Sequence, residues 1–177
     1  MSINGMLMWK KYRQAKFESV ALGLRYEDQA TAVKYFCTPK HAKIFASMGM
    51  EGIHYCTIPG LGDSIFVVTP EPCGEHYVFP VARDLREFLQ LVAALDGTQL
   101  INHIPLFGKE DFESALSEHK RICGDDAATD RERLEKTLEL EPLARSPYDT
   151  VMELYRAFDY SRIQYTAEYY DTLGLDR

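Results

Sequence analysis

Between residues 53 and 81, three short apolar runs are separated by turns rich in proline and glycine, and this pattern constrains the fold more than any other feature of the chain. Ile53-His54-Tyr55-Cys56-Thr57-Ile58 closes on Pro59-Gly60-Leu61-Gly62-Asp63. Ser64-Ile65-Phe66-Val67-Val68-Thr69 closes on Pro70-Glu71-Pro72-Cys73-Gly74, and Tyr77-Val78-Phe79-Pro80-Val81 follows. Runs of this length, β-branched and aromatic, suit strands. Joined by tight turns, they predict an antiparallel meander.

Helical patterns follow, uninterrupted by strands. Asp84 is a good N-cap with Glu87 three residues on. Leu85, Phe88, Leu89, Val92 and Leu95 then form one apolar stripe, which Gly97 ends. Leu100, Ile101, Ile104 and Phe107 continue a second helical stripe, and Phe112, Ala115, Leu116 and Ile122 a third. Residues 124–131 read as a polar link into a charged segment, 132–140. Ser146-Pro147 opens another helix, with Ser as cap and Pro in the first turn, and Val151, Leu154, Tyr155 and Phe158 form its inner face. The tail from Tyr165 to Leu175 carries three tyrosines and two leucines and is expected to dock on the body. Strands first and helices after predict a single α+β domain, with a mainly antiparallel sheet packed by helices and a helix-rich C-terminal half.

The first 50 residues are less regular. Residues 32–37 read as a strand, Pro39 stops pairing, and residues 40–47 suit a short helix ending at Gly49. At 177 residues, 46% of them hydrophobic, the chain is long enough to bury about 70% of its unfolded surface.

Charge is unevenly spread. Residues 1–50 hold eight Lys/Arg against three acids, whereas residues 109–177 hold ten against 17, and the whole chain is −7. Such a balance repels phosphate, so no nucleic-acid ligand is expected; acidic faces favour basic protein partners. No run of 18 apolar residues exists, so no membrane-spanning helix and no membrane partner are expected. The start of the chain places its charges after a short apolar run, the reverse of a secretory signal. Cysteines at 37, 56, 73 and 123 lack a Cys-x-x-Cys pair, which fits reduced thiols in a cytoplasmic protein.

Chemistry-bearing motifs are sparse. The loop at 59–63 lacks the Lys-Ser/Thr of a phosphate-binding loop and lies between strands, so it reads as a hairpin turn. His54 and Cys56 alternate on one strand face, and with Cys73 and His76 they make a candidate zinc set. Without a tight knuckle, core or turn positions are the expected role of all four. Glu51 and His54 are near enough in sequence for an acid–base pair, with Cys56 as a neighbouring thiol, but such triples arise by chance in any chain this long. No cofactor, metal or catalytic residue is expected. Tyr55, Tyr77, Tyr165, Tyr169 and Tyr170 are candidate interface anchors, with core packing as the alternative.

Residues 44–112 carry a resemblance. Ile44-Phe45-Ala46, Gly49-Met50-Glu51-Gly52-Ile53-His54-Tyr55-Cys56 and Asp63-Ser64-Ile65-Phe66-Val67-Val68-Thr69-Pro70 are similar to bacterial SUKH-superfamily sequences. There, a strand pair ending in a Ser/Thr-Pro turn leads to V-x-P-V-A-x-D-L-x-E-F-L, here residues 78–89. The resemblance implies a core at about 30–123 with a helical extension at 129–175. It also implies a non-enzymatic binding domain, often an immunity protein that neutralises a polymorphic toxin such as a nuclease. A regulatory or scaffold role in cell-wall synthesis is the alternative, and a metal protein or enzyme using His54, Cys56, Cys73 and His76 a more distant one. A basic toxin domain is the partner this implies, and the acids flanking the meander turns, Asp63, Glu71 and Glu75, with Tyr77, form the predicted binding surface.

Overall fold

A computed structural model describes residues 3–176 of the chain. Helix α1 (Ile3–Ala15) leads into five strands: β1 (Arg25–Tyr26), β2 (Lys43–Ser47), β3 (His54–Thr57), β4 (Ile65–Cys73) and β5 (His76–Ala82). They pair antiparallel in chain order, β1-β2-β3-β4-β5. Helices α2 (Leu85–Ala94), α3 (Lys109–Leu138), α4 (Pro147–Ala157) and α5 (Ala167–Leu173) follow, with a 3₁₀ turn at Ile101–Leu106. This is the expected α+β architecture, and the predicted meander is its last three strands.

The sheet is buried on both faces. Ile65 and Val67 of β4 point into a core shared with Tyr55, Phe79, Phe88, Leu89 and Val92, on the side of α1 to α4. Phe66 and Val68 point into a second core with Ile44, Cys56, Val78 and Ile163. No regular layer makes the second cover: Phe36 and Cys37 from one irregular segment and Phe158, Tyr160, Tyr165 and Tyr169 from the C-terminal tail supply it. Tyr165 and Tyr169 stack at 3.8 Å, and Tyr77 lies edge-on to both Phe36 and Tyr169. The tail thus docks as its composition requires.

Register shifts adjust the alternation, and one of them, between Val68 and Cys73, interrupts the outer β4–β5 pairing. Between Ile44 and Ala46 the register with β3 slips, so Phe45 and Ala46 both enter the helix-side core. A second slip at Ile65/Phe66 does the same for Val81 and Ala82.

Caps follow the sequence signals. The Asp84 carboxylate accepts from the Glu87 N–H at 2.9 Å, and Glu87 reaches back to the Arg83 N–H. Ser146 accepts from the Asp149 N–H, with Pro147 in the first turn of α4.

Three expectations for local structure are corrected. Residues 32–37 are not a strand: β1 occupies the sheet edge beside β2, and the segment lies across the sheet face instead. Residues 43–47 are strand rather than helix, because pairing with β3 buries Ile44, Phe45 and Ala46 and overrides their helical propensity. The expected link at 124–131 is helical. Gly124, at φ 61 and ψ −151, breaks α3, and beyond it the helix docks through Ala127, Leu134 and Leu138. Arg131 pairs there with the nearly buried Asp96 at 2.7 Å.

Cys37, Cys56 and Cys73 are buried free thiols and Cys123 is half-buried, so one fast-reacting thiol per chain is expected with an aromatic disulfide reagent. Ile163→Ala, which removes a buried side chain from the tail-side core, should cost about 2–5 kcal/mol and bring Cys37 into reach. A variant with the wild-type count of fast thiols and unchanged unfolding midpoint would contradict this packing.

Candidate functional site

A grouping of chemistry-bearing side chains lies where the irregular segment after β1 meets the β2–β3 turn. That turn, residues 48–53, is held by Met48 N–H donating to Ile53 O and Ile53 N–H to Met50 O. Gly52 sits in it at φ 71, and a Cβ there would fall 2.6 Å from the Tyr35 ring and 2.8 Å from Pro70. Glycine is therefore required both by conformation and by space. Its bareness lets Tyr35 lie over the turn and stack on the His54 ring, 5.8 Å between centroids.

His54 is 3% exposed. Gly52 O can only accept, so the 2.8 Å contact places the proton on His54 Nδ1. Nε2 then accepts from the Thr38 hydroxyl at 3.2 Å, and Thr38 Oγ1 in turn accepts from the Tyr35 N–H at 2.8 Å. The Thr38–His54 hydrogen bond thus ties the segment over the sheet to β3, and the other two hold its partners in place. Burial pushes the His54 pKa down, against the pull of the Gly52 carbonyl and the Glu27 charge. A neutral imidazole with both nitrogens committed inside the protein is a fastener, not a free base.

Above His54 opens a cleft of about 400 Å³, lined by Arg25, Glu27, Val33, Tyr35, Met50 and Glu51 among others. Ser47 donates to Glu27 at 2.6 Å, and Arg25 pairs with the same carboxylate at 3.6 Å. A second recess of about 390 Å³ shares Arg25, Gly49 and Met50 and continues past Leu24 and Met48 to Val20 and Glu18. Val20 is 98% exposed, and Val33, Tyr35 and Met50 are exposed beside the two openings. The result is an apolar strip at the β1 edge, rimmed by Glu18, Glu27 and Glu51, with its one lining cation already ion-paired.

The residues singled out from sequence are dispersed. Asp63 sits at the start of β4, lining a recess with Trp9, Asp84 and Arg86 near α1 and α2. Glu71 and Glu75 are exposed at the β4–β5 hairpin, the opposite end of the same strand, about 25 Å away at 3.3 Å per residue. Tyr77 is half-buried against Phe36 and Tyr169. Glu71, Glu75 and Tyr77 thus share the β4–β5 hairpin, and Asp63 lies apart from them.

The candidate zinc set is split as well. Cys56 is sealed in the tail-side core, whereas Cys73 faces the helix side, 3.8 Å from Asn102 Nδ2, and His76 stacks on Tyr160. Among the described residues no three His, Cys, Asp or Glu side chains are placed to hold a metal. Glu51 lies on the cleft with His54, but burial holds the Cys56 thiol far above its usual pKa and away from any substrate. Tyr55 is fully buried against Phe88. Val20, Val33, Tyr35 and Met50 escaped sequence reasoning because an exposed apolar residue looks the same in sequence as a core one; the glycines flanking Met50-Glu51 were the available signal.

Comparison with protein-family models, curated proteins and solved structures gives no match.

The His54 arrangement sets a pH dependence. An unfolded histidine takes up a proton near pH 6.5, whereas the folded chain resists protonation of His54, so the unfolded state binds more protons just below that pH. Stability contributed by the neutral ring is present above about pH 6.5 and is lost as pH falls toward the lower folded value. Urea unfolding at pH 7.5 and 5.5 should show a smaller acid loss for His54→Gln than for wild type. His76, whose pKa is shifted in the same direction, is present in both proteins and cancels. Equal acid losses in the two would contradict the buried neutral ring.

Proposed function

We propose that this chain is a non-enzymatic protein-binding module of the immunity type, related to the SUKH superfamily, which binds a basic toxin domain in the cytoplasm. The observation that carries the reading is the apolar strip of Val20, Val33, Tyr35 and Met50 with its acidic rim. Grouped exposed apolar side chains rimmed by charge are characteristic of protein interaction sites, and Tyr is a frequent anchor in them. Glu18 and Glu51 complement a basic cleft of the kind nucleases present to nucleic acid, and the net charge of −7 speeds encounter with it. Four free thiols, three of them buried, suit a reducing compartment.

The strip is a surface apart from Asp63 and from the hairpin that carries Glu71, Glu75 and Tyr77. In a pull-down with the full chain as bait, a basic partner should be retained at low salt and released as salt rises. Met50→Lys combined with Val33→Asp should weaken its capture at least about tenfold, in line with loss of a central apolar contact. Inhibition of the partner's nuclease activity by wild type but not by the double variant completes the test. A partner held equally by both proteins, or one with no activity that the chain inhibits, would overturn the reading.

A further inference from the structure

Helix α1 has a second face that the fold does not use. Met8 and Tyr12 turn inward and are buried, and Trp9 packs edge-on against Phe45 at 4.9 Å, which fixes the helix on the body. On the opposite side, Ile3, Met6 and Leu7 are 73%, 53% and 53% exposed. Lys10, Arg13 and Gln14 continue that side and are exposed too. At 100° per residue, positions 3, 6, 7, 10, 13 and 14 share one stripe.

Charge singles the helix out further. Residues 3–16 hold four cations and no acid in a chain of net charge −7. Lys11 is paired with Glu139 at 2.6 Å, and Arg13 stands over the Trp9 ring at 5.5 Å. The stripe therefore combines aliphatic side chains in the first two turns with cations in the last two.

We propose that this face of α1 seats the protein on an anionic lipid bilayer surface. Three features favour lipid over a protein partner. The stripe carries no acid and no aromatic side chain to act as a directional anchor, whereas protein hot spots are rich in Trp, Tyr and Arg set in pockets. Its apolar members are flexible aliphatics, which a fluid acyl boundary accepts without shape complementarity. Lys and Arg stems lie along such a boundary with their charges among the headgroups. Attachment is peripheral, which departs from the expectation of no membrane partner but not from that of no membrane span: among the described residues no helix is long and apolar enough to cross a membrane. The inference is independent of the toxin-binding reading, since it uses neither the β1-edge strip nor its acids.

The test is sedimentation of the full chain with vesicles of phosphatidylglycerol alone and of phosphatidylcholine alone. Trp9, the single tryptophan, reports in parallel through its emission. The chain should bind phosphatidylglycerol at least about tenfold more strongly than phosphatidylcholine, and lose that preference as salt rises. Met6→Glu with Leu7→Glu should abolish binding to both. Lys10→Glu with Arg13→Glu should remove the lipid preference while circular dichroism shows the fold intact. These positions are exposed, so the substitutions leave the core untouched, and the charge pair gives an independent reading if the apolar pair disturbs α1. Absence of binding to phosphatidylglycerol, or equal binding by wild type and both variants, would overturn the proposal. So would a wild-type dimer in sedimentation equilibrium that the same substitutions dissolve, since α1 would then meet a second copy.

Discussion

Everything in this fold depends on burying strand β4 on both faces. Ile65 and Val67 enter one core while Phe66 and Val68 enter the other, and all four are fully buried. An antiparallel sheet commonly leaves one face to water; here four consecutive apolar residues forbid it. Helices cover one side, and the other must be closed with whatever chain remains. Aromatic rings do that work: Phe36, Phe158, Tyr160, Tyr165 and Tyr169 bring large apolar area from irregular segments, one 3₁₀ turn and the short helix α5.

An irregular cover has to be fastened, and the fastening creates the site. The segment over the sheet is tied to β3 through Tyr35, Thr38 and His54, and Gly52 provides the space for Tyr35 to lie down. Because the tie lies at the margin of the cover, it leaves a cleft between segment, turn and β1, with Val33 and Met50 on its lip. Structural and binding features therefore share residues. Tyr35 packs on one edge and is exposed on the other, and the histidine that reads in sequence as a core or turn residue is the pin beneath them.

Much of the architecture is legible in the sequence because local and global signals agree. The Pro/Gly turn at 59–63 precedes β4, the Asp84–Glu87 pattern opens α2, and Ser146-Pro147 opens α4, each at or within a few residues of its observed place; the turn expected at 70–74 is confined to Gly74-Glu75, because residues 70–73 extend β4. Failures cluster where tertiary pairing outweighs local preference. The bulge at Phe45 hides the alternation of β2, so its apolar run resembles a helix turn. The β-type composition of residues 32–37 reflects burial on a sheet face, not membership of the sheet. Gly124 reads as a stop, yet helix resumes at once beyond it because Leu134 and Leu138 have a core to enter. For the site, sequence supplied His54 as an expected core or turn residue and Glu51 as a chance neighbour, and His54 is buried. No spacing rule indicates that His54 spends both nitrogens on Gly52 and Thr38.

Amide hydrogen exchange, followed residue by residue in the native protein, tests the doubly buried sheet most directly. The slowest amides should lie in residues 54–57 and 65–68, and ending the chain after Ala157 should accelerate exchange at Cys56, Phe66 and Val68 while the caps of α2 remain protected. Unchanged protection at those three residues in the shortened chain would show that the tail is not part of the sheet's cover, and would contradict the account at its foundation.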